Sequence, residues 1–212
     1  MGVAPRAEVF TIPRTSVTAG SRVGASLRRR VSRWFSAGVL LFLLATVAWL
    51  YFNVRFGLVI SDSMNPTLQR GDYYVIRLDA YRHDHPQRGD IVVIRHPQGK
   101  EMLLKRVIGV GGDVVGVWWG RAWVNGVWLN EPYIKQVEGV HEPPQSVRVP
   151  EGQLYLLGDN RNLSDDSRDM GTLAENQVVG RATAIIWPPQ RRCKLRRPTL
   201  NVPPAPPASL TR

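Results

Sequence analysis

The chain has 212 residues, 43% hydrophobic and 21% charged, with a formal net charge of +11 and a single cysteine, Cys193. That length suits one ordinary domain with appendages; the composition excludes a disordered chain, one cysteine excludes an internal disulfide, and no Cys/His cluster has zinc spacing. The charge is not distributed as a nucleic-acid binder needs it: residues 1–34 and 189–212 each carry a net +6, which leaves −1 on residues 35–188 and predicts no basic face on the folded body.

The leader, residues 1–33, holds seven arginines (Arg6, Arg14, Arg22, Arg28, Arg29, Arg30 and Arg33) against one acid, Glu8. From Trp34 to Val54 there follow 21 residues without a charge, rich in Leu, Val, Ala and Phe and flanked by Arg33 and Arg55. A bilayer core demands that length of a helix, whereas a cleaved secretory signal has a shorter apolar region ending in a small-x-small site. Trp49, Tyr51 and Phe52 stand where such a site would lie, so the segment is expected to be a retained anchor. The positive-inside rule then puts the N-terminus in the cytoplasm and the remainder of the chain outside it. Basic residues in the leader are expected to meet anionic headgroups, at about 1 kcal/mol each close to the surface.

Beyond the anchor comes Ser61-Asp62-Ser63-Met64-Asn65-Pro66-Thr67-Leu68. An extended chain alternates its faces, so Ser61 and Ser63 point one way and Asp62 the other. Alone, two serines before Asn-Pro are turn formers. A nucleophile needs a base, and His83, His85, His96 and His141 all lie in loop-like stretches, with no Gly-x-Ser-x-Gly elbow. From here to 188 the chain reads as short strands, an all-β pattern: Tyr73–Leu78, Ile91–Arg95, Met102–Val110, Val114–Trp119, Ala122–Leu129, Leu154–Leu157 and Val178–Trp187. Arg70-Gly71-Asp72 and Arg88-Gly89-Asp90 read as turns that lead into strands, and Asn125-Gly126 between apolar flanks predicts a tight hairpin.

Lys105 sits inside the apolar run Met102–Val110. Burial disfavours a charged amine. At its reference pKa of about 10.4 a lysine is neutral ~0.04% of the time at pH 7, a cost of roughly 4.6 kcal/mol to make the free base. Lowering that pKa makes it a usable general base. Taken alone, Lys105 reads first as an edge-strand side chain that snorkels. The polar loop Gly158–Gly171 fails as a calcium loop, because Arg161 and Leu163 stand where oxygen donors belong and the closing Glu is missing. It fits better as a supporting loop, in which Ser164 could hydrogen-bond a lysine amine and an Asp166–Arg168 pair could hold the backbone. No cofactor motif is present and none is expected. Residues 188–212 contain seven of the sixteen prolines and read as a disordered basic tail.

Together these residues resemble the bacterial type I signal peptidases, or leader peptidases, over about residues 36–188. The resemblance rests on Ser61–Leu68, the two Arg-Gly-Asp turns, Lys105-Arg106-Val107-Ile108-Gly109 with Gly112-Asp113, the hairpin with Asn130-Glu131-Pro132-Tyr133, and the 158–171 loop. It implies a mainly β, signal-peptidase-like antiparallel catalytic domain behind one N-terminal transmembrane helix. It also implies a Ser/Lys endopeptidase in the cell membrane that removes signal peptides from exported preproteins on the outer side. Ser63 is then similar to the family nucleophile, Lys105 to its base, and Ser61, with the Ser63 N–H, to the oxyanion donors. Ser164 matches the lysine-orienting residue, and Asp166 and Arg168 a supporting ion pair. Eukaryotic-type relatives carry His where this chain has Lys105.

Three departures stand out: Gly111 replaces the usual Pro and should loosen its turn, Asp62 sits between the serines with its charge expected to face away from Lys105, and one span is present where some members have two. The expected domains are a leader (1–33), an anchor (34–54), a peptidase domain (55–188) and a tail (189–212). With Ser63 only eight residues past Arg55, the site is expected at the bilayer surface, with Leu58, Val59, Ile60, Trp118 and Trp119 as lipid contacts, pocket walls or core. Rival readings are a specialised peptidase maturing pilin-type subunits, a self-cleaving repressor of the DNA-damage response, which would carry a DNA-binding domain in place of the span, and a membrane-anchored binding module.

Overall fold

An apolar, uncharged backbone stretch satisfies its polar groups within itself most simply as a helix. The computed structural model, which describes residues 21–97, 99, 101–134 and 145–202, begins with such a helix, α1 (Ser21–Asn53). Its segment Trp34–Asn53 is 20 residues long, or about 30 Å, which matches a hydrocarbon core. The helix stops one residue before the expected end of the span: the Asn53 carbonyl accepts the Leu78 N–H at 2.9 Å, and Val54 opens a strand.

Twelve strands follow among the described residues. The first sheet has the order β1 (Val54–Leu58), β2 (Tyr73–Arg77), β11 (Val178–Trp187), β3 (Ile91–Arg95), β4 (Met102–Val110), β9 (Gln153–Leu157), β10 (Leu173–Ala174), and β12 (Cys193–Lys194) adds to β11. The second has the order β7 (Val127–Trp128), β6 (Arg121–Val124), β5 (Val114–Trp118), β8 (Gln145–Arg148). Every pairing is antiparallel, as the all-β reading expects. Ile108, Tyr155 and Leu157 of the first sheet and Val115, Val117 and Val124 of the second share one core. The short strands β1, β8, β10 and β12 are not legible in sequence, because pairing rather than alternation makes them.

Local turn chemistry explains the connections. Asn125 and Gly126 have φ of 52° and 82°, the pair of positive values that a tight hairpin requires. In both Arg-Gly-Asp turns the aspartate caps its own loop, Asp72 accepting from the Gln69 N–H and Asp90 from the Gln87 N–H. The Gly111 turn is well tied without proline: Asp113 is fully buried, accepts the Val110 N–H at 2.9 Å, and pairs with Arg88 and Asn125.

The C-terminal segment departs from expectation. Residues 188–202 pack onto the domain as a short 3-10 turn (Pro189–Arg191), strand β12 and an extended strap whose Leu195, Leu200 and Val202 lie against the cores. Composition predicted disorder because arginine counts say nothing of buried acids far away in the chain. Residues 203–212, the leader through residue 20 and His141 lie outside the described residues.

Candidate active site

Three elements converge around Ser63. The first is the 61–68 bend after β1. Met64 and Leu68 are buried and stand one helical turn apart, with the Leu68 N–H bonded to the Met64 carbonyl at 2.9 Å. Full burial of such side chains contributes roughly 1.5–3 kcal/mol each, so the bend is anchored by its apolar residues and presents its serines at the surface of the core. Ser61 Oγ lies 3.2 Å from Ser63 Oγ. The Asn160 N–H and Nδ2 donate to the carbonyls of Ser63 and Asp62 at 3.0 and 3.1 Å. Among the described residues no group accepts from the Ser63 N–H. Asp62 meets Arg70, 3.7 Å away at the exposed side.

The second element is β4. Lys105 pairs with Val92 of β3 within the sheet, and its side chain is buried at 3% exposure. The snorkelling alternative therefore fails, because a side chain that reached solvent would not be this buried, even though β4 gains its second neighbour, β9, only from Arg106 onward. Burial pushes the Lys105 amine below its ordinary value; Asp166 and Asp165 oppose that shift, and Arg168 adds to it. Ser61, Ser63 and Lys105 line one cavity of about 150 Å³, walled by Leu58, Ile60 and Met64 among others.

The third element is the 158–171 loop. Ser164 Oγ is buried and, among the described residues, has no hydrogen-bond partner, so the bond to the Lys105 amine expected from sequence is not made. Gly158 separates it from the serine bend: a Cβ added there would sit 2.1 Å from Ser164 Oγ and 2.5 Å from the Ser63 carbonyl oxygen. Asp166 is fully buried and caps the short helix α2 (Ser167–Met170). Its carboxylate accepts the Gly158 N–H at 3.0 Å and pairs with Arg168 Nε at 2.8 Å, while Arg168 Nη2 donates to the Ser164 carbonyl at 3.2 Å. The Asp166–Arg168 pair thus clamps both ends of the loop that carries Ser164.

A second layer, not singled out as a support from sequence, ties these elements together. Arg106, next to Lys105, makes a fork on Asp159 with bonds of 2.8 and 2.7 Å, donates to the Gly89 carbonyl, and stacks 3.9 Å from the Tyr133 ring centroid. Asp159 also accepts from the Thr67 hydroxyl. Arg161 pairs with buried Glu131 and donates to the carbonyls of Gly120 and Gly158. The available signal was the density of charges in the 158–171 loop, but sequence does not show which partners lie inside.

The arrangement holds a hydroxyl, a buried amine of lowered basicity, a backbone N–H and a second hydroxyl, Ser61, hydrogen-bonded to the first, around one small cavity, the equipment of acyl transfer. A family model described as "Signal peptidase, peptidase S26" matches residues 31–187. The chain is similar to a probable signal peptidase I-1 of Synechocystis, 40% identical over 62% of this chain and 70% of the relative. It is also similar to a signal peptidase I of Leptolyngbya laminosa, 36% identical over 65% of this chain and 71% of that one, and to a signal peptidase IB of Staphylococcus aureus, 34% identical over 60% and 74%.

Proposed function

The chain belongs to the signal peptidase family, peptidase S26, and from that membership we propose that it cleaves preprotein signal peptides with Ser63 as nucleophile and Lys105 as general base. The observation that carries the assignment is the shared cavity: Ser63 and Lys105 line it together, one on the bend and one on β4. The pilin-maturing alternative is not favoured, since the relatives are named signal peptidases I.

Ser63 Oγ attacks the scissile carbonyl carbon while its proton passes to the Lys105 amine. The carbonyl oxygen gains the negative charge and meets the Ser63 N–H and the Ser61 hydroxyl; one such donor is worth about 2.7–4 kcal/mol. Lys105 then gives the proton to the leaving amine, and the C–N bond breaks to leave an ester on Ser63. Water hydrolyses that ester with Lys105 again as base. Ser164 Oγ, which is buried and makes no hydrogen bond among the described residues, is the hydroxyl available to orient the amine during turnover, and Asp166 with Arg168 holds the loop that carries it. The small cavity suits the small side chains that precede a signal-peptide cleavage site. On this reading Met102–Leu104, which pair with β3 on one side only among the described residues, offer an edge to an extended peptide.

The pH dependence tests the base. Activity requires neutral Lys105, so kcat/KM rises with pH through the pKa of the free enzyme's lysine, and burial sets that midpoint below the ordinary value. The expected profile on an Ala-x-Ala preprotein has an ascending limb whose midpoint lies below the ordinary lysine range. A parent profile that climbs only at the pKa of a solvated lysine would sink the assignment.

The protein is membrane-anchored by α1, and the orientation proposed is N-terminus in the cytoplasm with the peptidase domain outside. Phe56, Leu58, Ile60, Trp118 and Trp119 remain exposed on the domain and support lipid contact. Cys193 reports the topology, being the sole cysteine of the chain and exposed. A membrane-impermeant maleimide is expected to label it in intact spheroplasts; labelling only after permeabilisation would reverse the orientation.

A further inference from the structure

The strap of residues 188–202 begins where the family match at 31–187 ends, and Arg191 is its anchor on the bend that carries Ser63. Arg191 Nε donates to both oxygens of Asp72, at 2.8 and 3.1 Å, and Nη2 donates to Asp72 Oδ2 at 2.9 Å and to the Thr67 and Pro66 carbonyls at 3.2 and 3.5 Å. Asp72 is 1% exposed. A single guanidinium therefore joins both ends of the 66–72 loop. Thr67 is held from two directions, its carbonyl by Arg191 and its hydroxyl by Asp159.

Arg197 supplies a built-in comparison. It makes a similar fork on Asp90, with bonds of 2.9 and 3.0 Å, yet Asp90 is also paired with Arg181 at 3.1 Å. Among the described residues Asp72 has Arg191 as its one ion-pair partner. Loss of Arg197 thus leaves its carboxylate compensated, and loss of Arg191 does not.

We propose that Arg191 is a positioning residue for Ser63, acting from outside the matched family region by fixing the Pro66 and Thr67 carbonyls of the nucleophile bend; the proposal rests on reading Ser63 as the nucleophile. Lysine cannot replace it, since a point donor does not reach a carboxylate and two carbonyls together.

The test uses the full chain in detergent with R191Q, R191K, R197Q and the double variant D72N/R191Q, reading kcat and KM on an Ala-x-Ala preprotein, thermal stability, and amide exchange at Leu68 and Gly71. A misplaced reacting atom lowers turnover more than binding, so R191Q is expected to lose about 10- to 100-fold in kcat with KM within about twofold. Exchange at Leu68 and Gly71 is expected to quicken in R191Q and R191K and to stay parental in R197Q. D72N/R191Q, in which no buried carboxylate is left unpaired, should regain thermal stability but not kcat, because the two carbonyls still lack their donor. Parental kcat in that double variant, or equal kcat in R191Q and R197Q, would overturn the proposal. An inactive parent would instead point to a specialised substrate, cleavage retained by S63A would refute the nucleophile reading, and in either case unchanged exchange in R191Q would still overturn the positioning role.

Discussion

Lys105→Met is expected to abolish signal-peptide cleavage while leaving the protein as stable as the parent or more so. Both halves follow from burial. The amine is the proposed base, and removing a general base costs about 10²–10⁴ in rate; without it the Ser63 hydroxyl keeps its proton and attacks poorly. Ser63→Ala is expected to do the same, and Ser63→Ala/Lys105→Met to be no worse than either alone, because residues that act as a unit are not additive.

Stability moves the other way. Lys105 has a folded-state pKa below its unfolded value, so between those two values the unfolded chain binds more protons and stability rises with pH. Below that window the folded state holds a charge it disfavours, a penalty that methionine removes. The measurements are cleavage of an Ala-x-Ala preprotein in detergent and a thermal melt at neutral pH. Cleavage unchanged in either single variant would dispose of the dyad, and a Lys105→Met protein that melts well below the parent would show that the lysine is a structural partner.

Asp159→Ala is expected to damage stability and activity together. It leaves the Arg106 guanidinium, 3% exposed, without its carboxylate, and breaking a buried pair in this way costs about 3–5 kcal/mol. For a domain of this size that is roughly 6–20 °C in Tm. The same change frees the Thr67 hydroxyl and so loosens the Ser63 bend. An apolar swap of both partners, Asp159→Leu with Arg106→Met, should recover much of the Tm, because no charge is left buried. It should not recover turnover, since the tether to Thr67 is still absent. A calorimetric scan and a kcat measurement on the parent and the two variants check this; Asp159→Ala melting near the parent would mean that water reaches Arg106.

The departures from sequence expectation share a cause. Residues 188–202 read as disordered because a run of Arg and Pro carries no periodicity, but Arg191 and Asp72 are 119 positions apart, and only folding brings them together. Arg106 and Asp159 are separated by 53 positions. Lys105 read as a snorkelling edge lysine because a strand's sequence does not say what packs over its face; Lys105 pairs with β3 alone, yet it is buried.

Near neighbours in the chain account for the local elements. The α1 helix follows from twenty-one uncharged residues whose backbone must bond within itself, the strands from apolar alternation, the 123–128 hairpin from two residues that accept positive φ, and the candidate site residues from a motif order that resembles a family. Tertiary structure alone decided the burial of Lys105, the carboxylate that each buried arginine meets, the wedge of Gly158 between Ser63 and Ser164, and the docking of the strap. Those are contacts between distant segments, selected by the free energy of excluding water from the whole domain, and no local pattern encodes them.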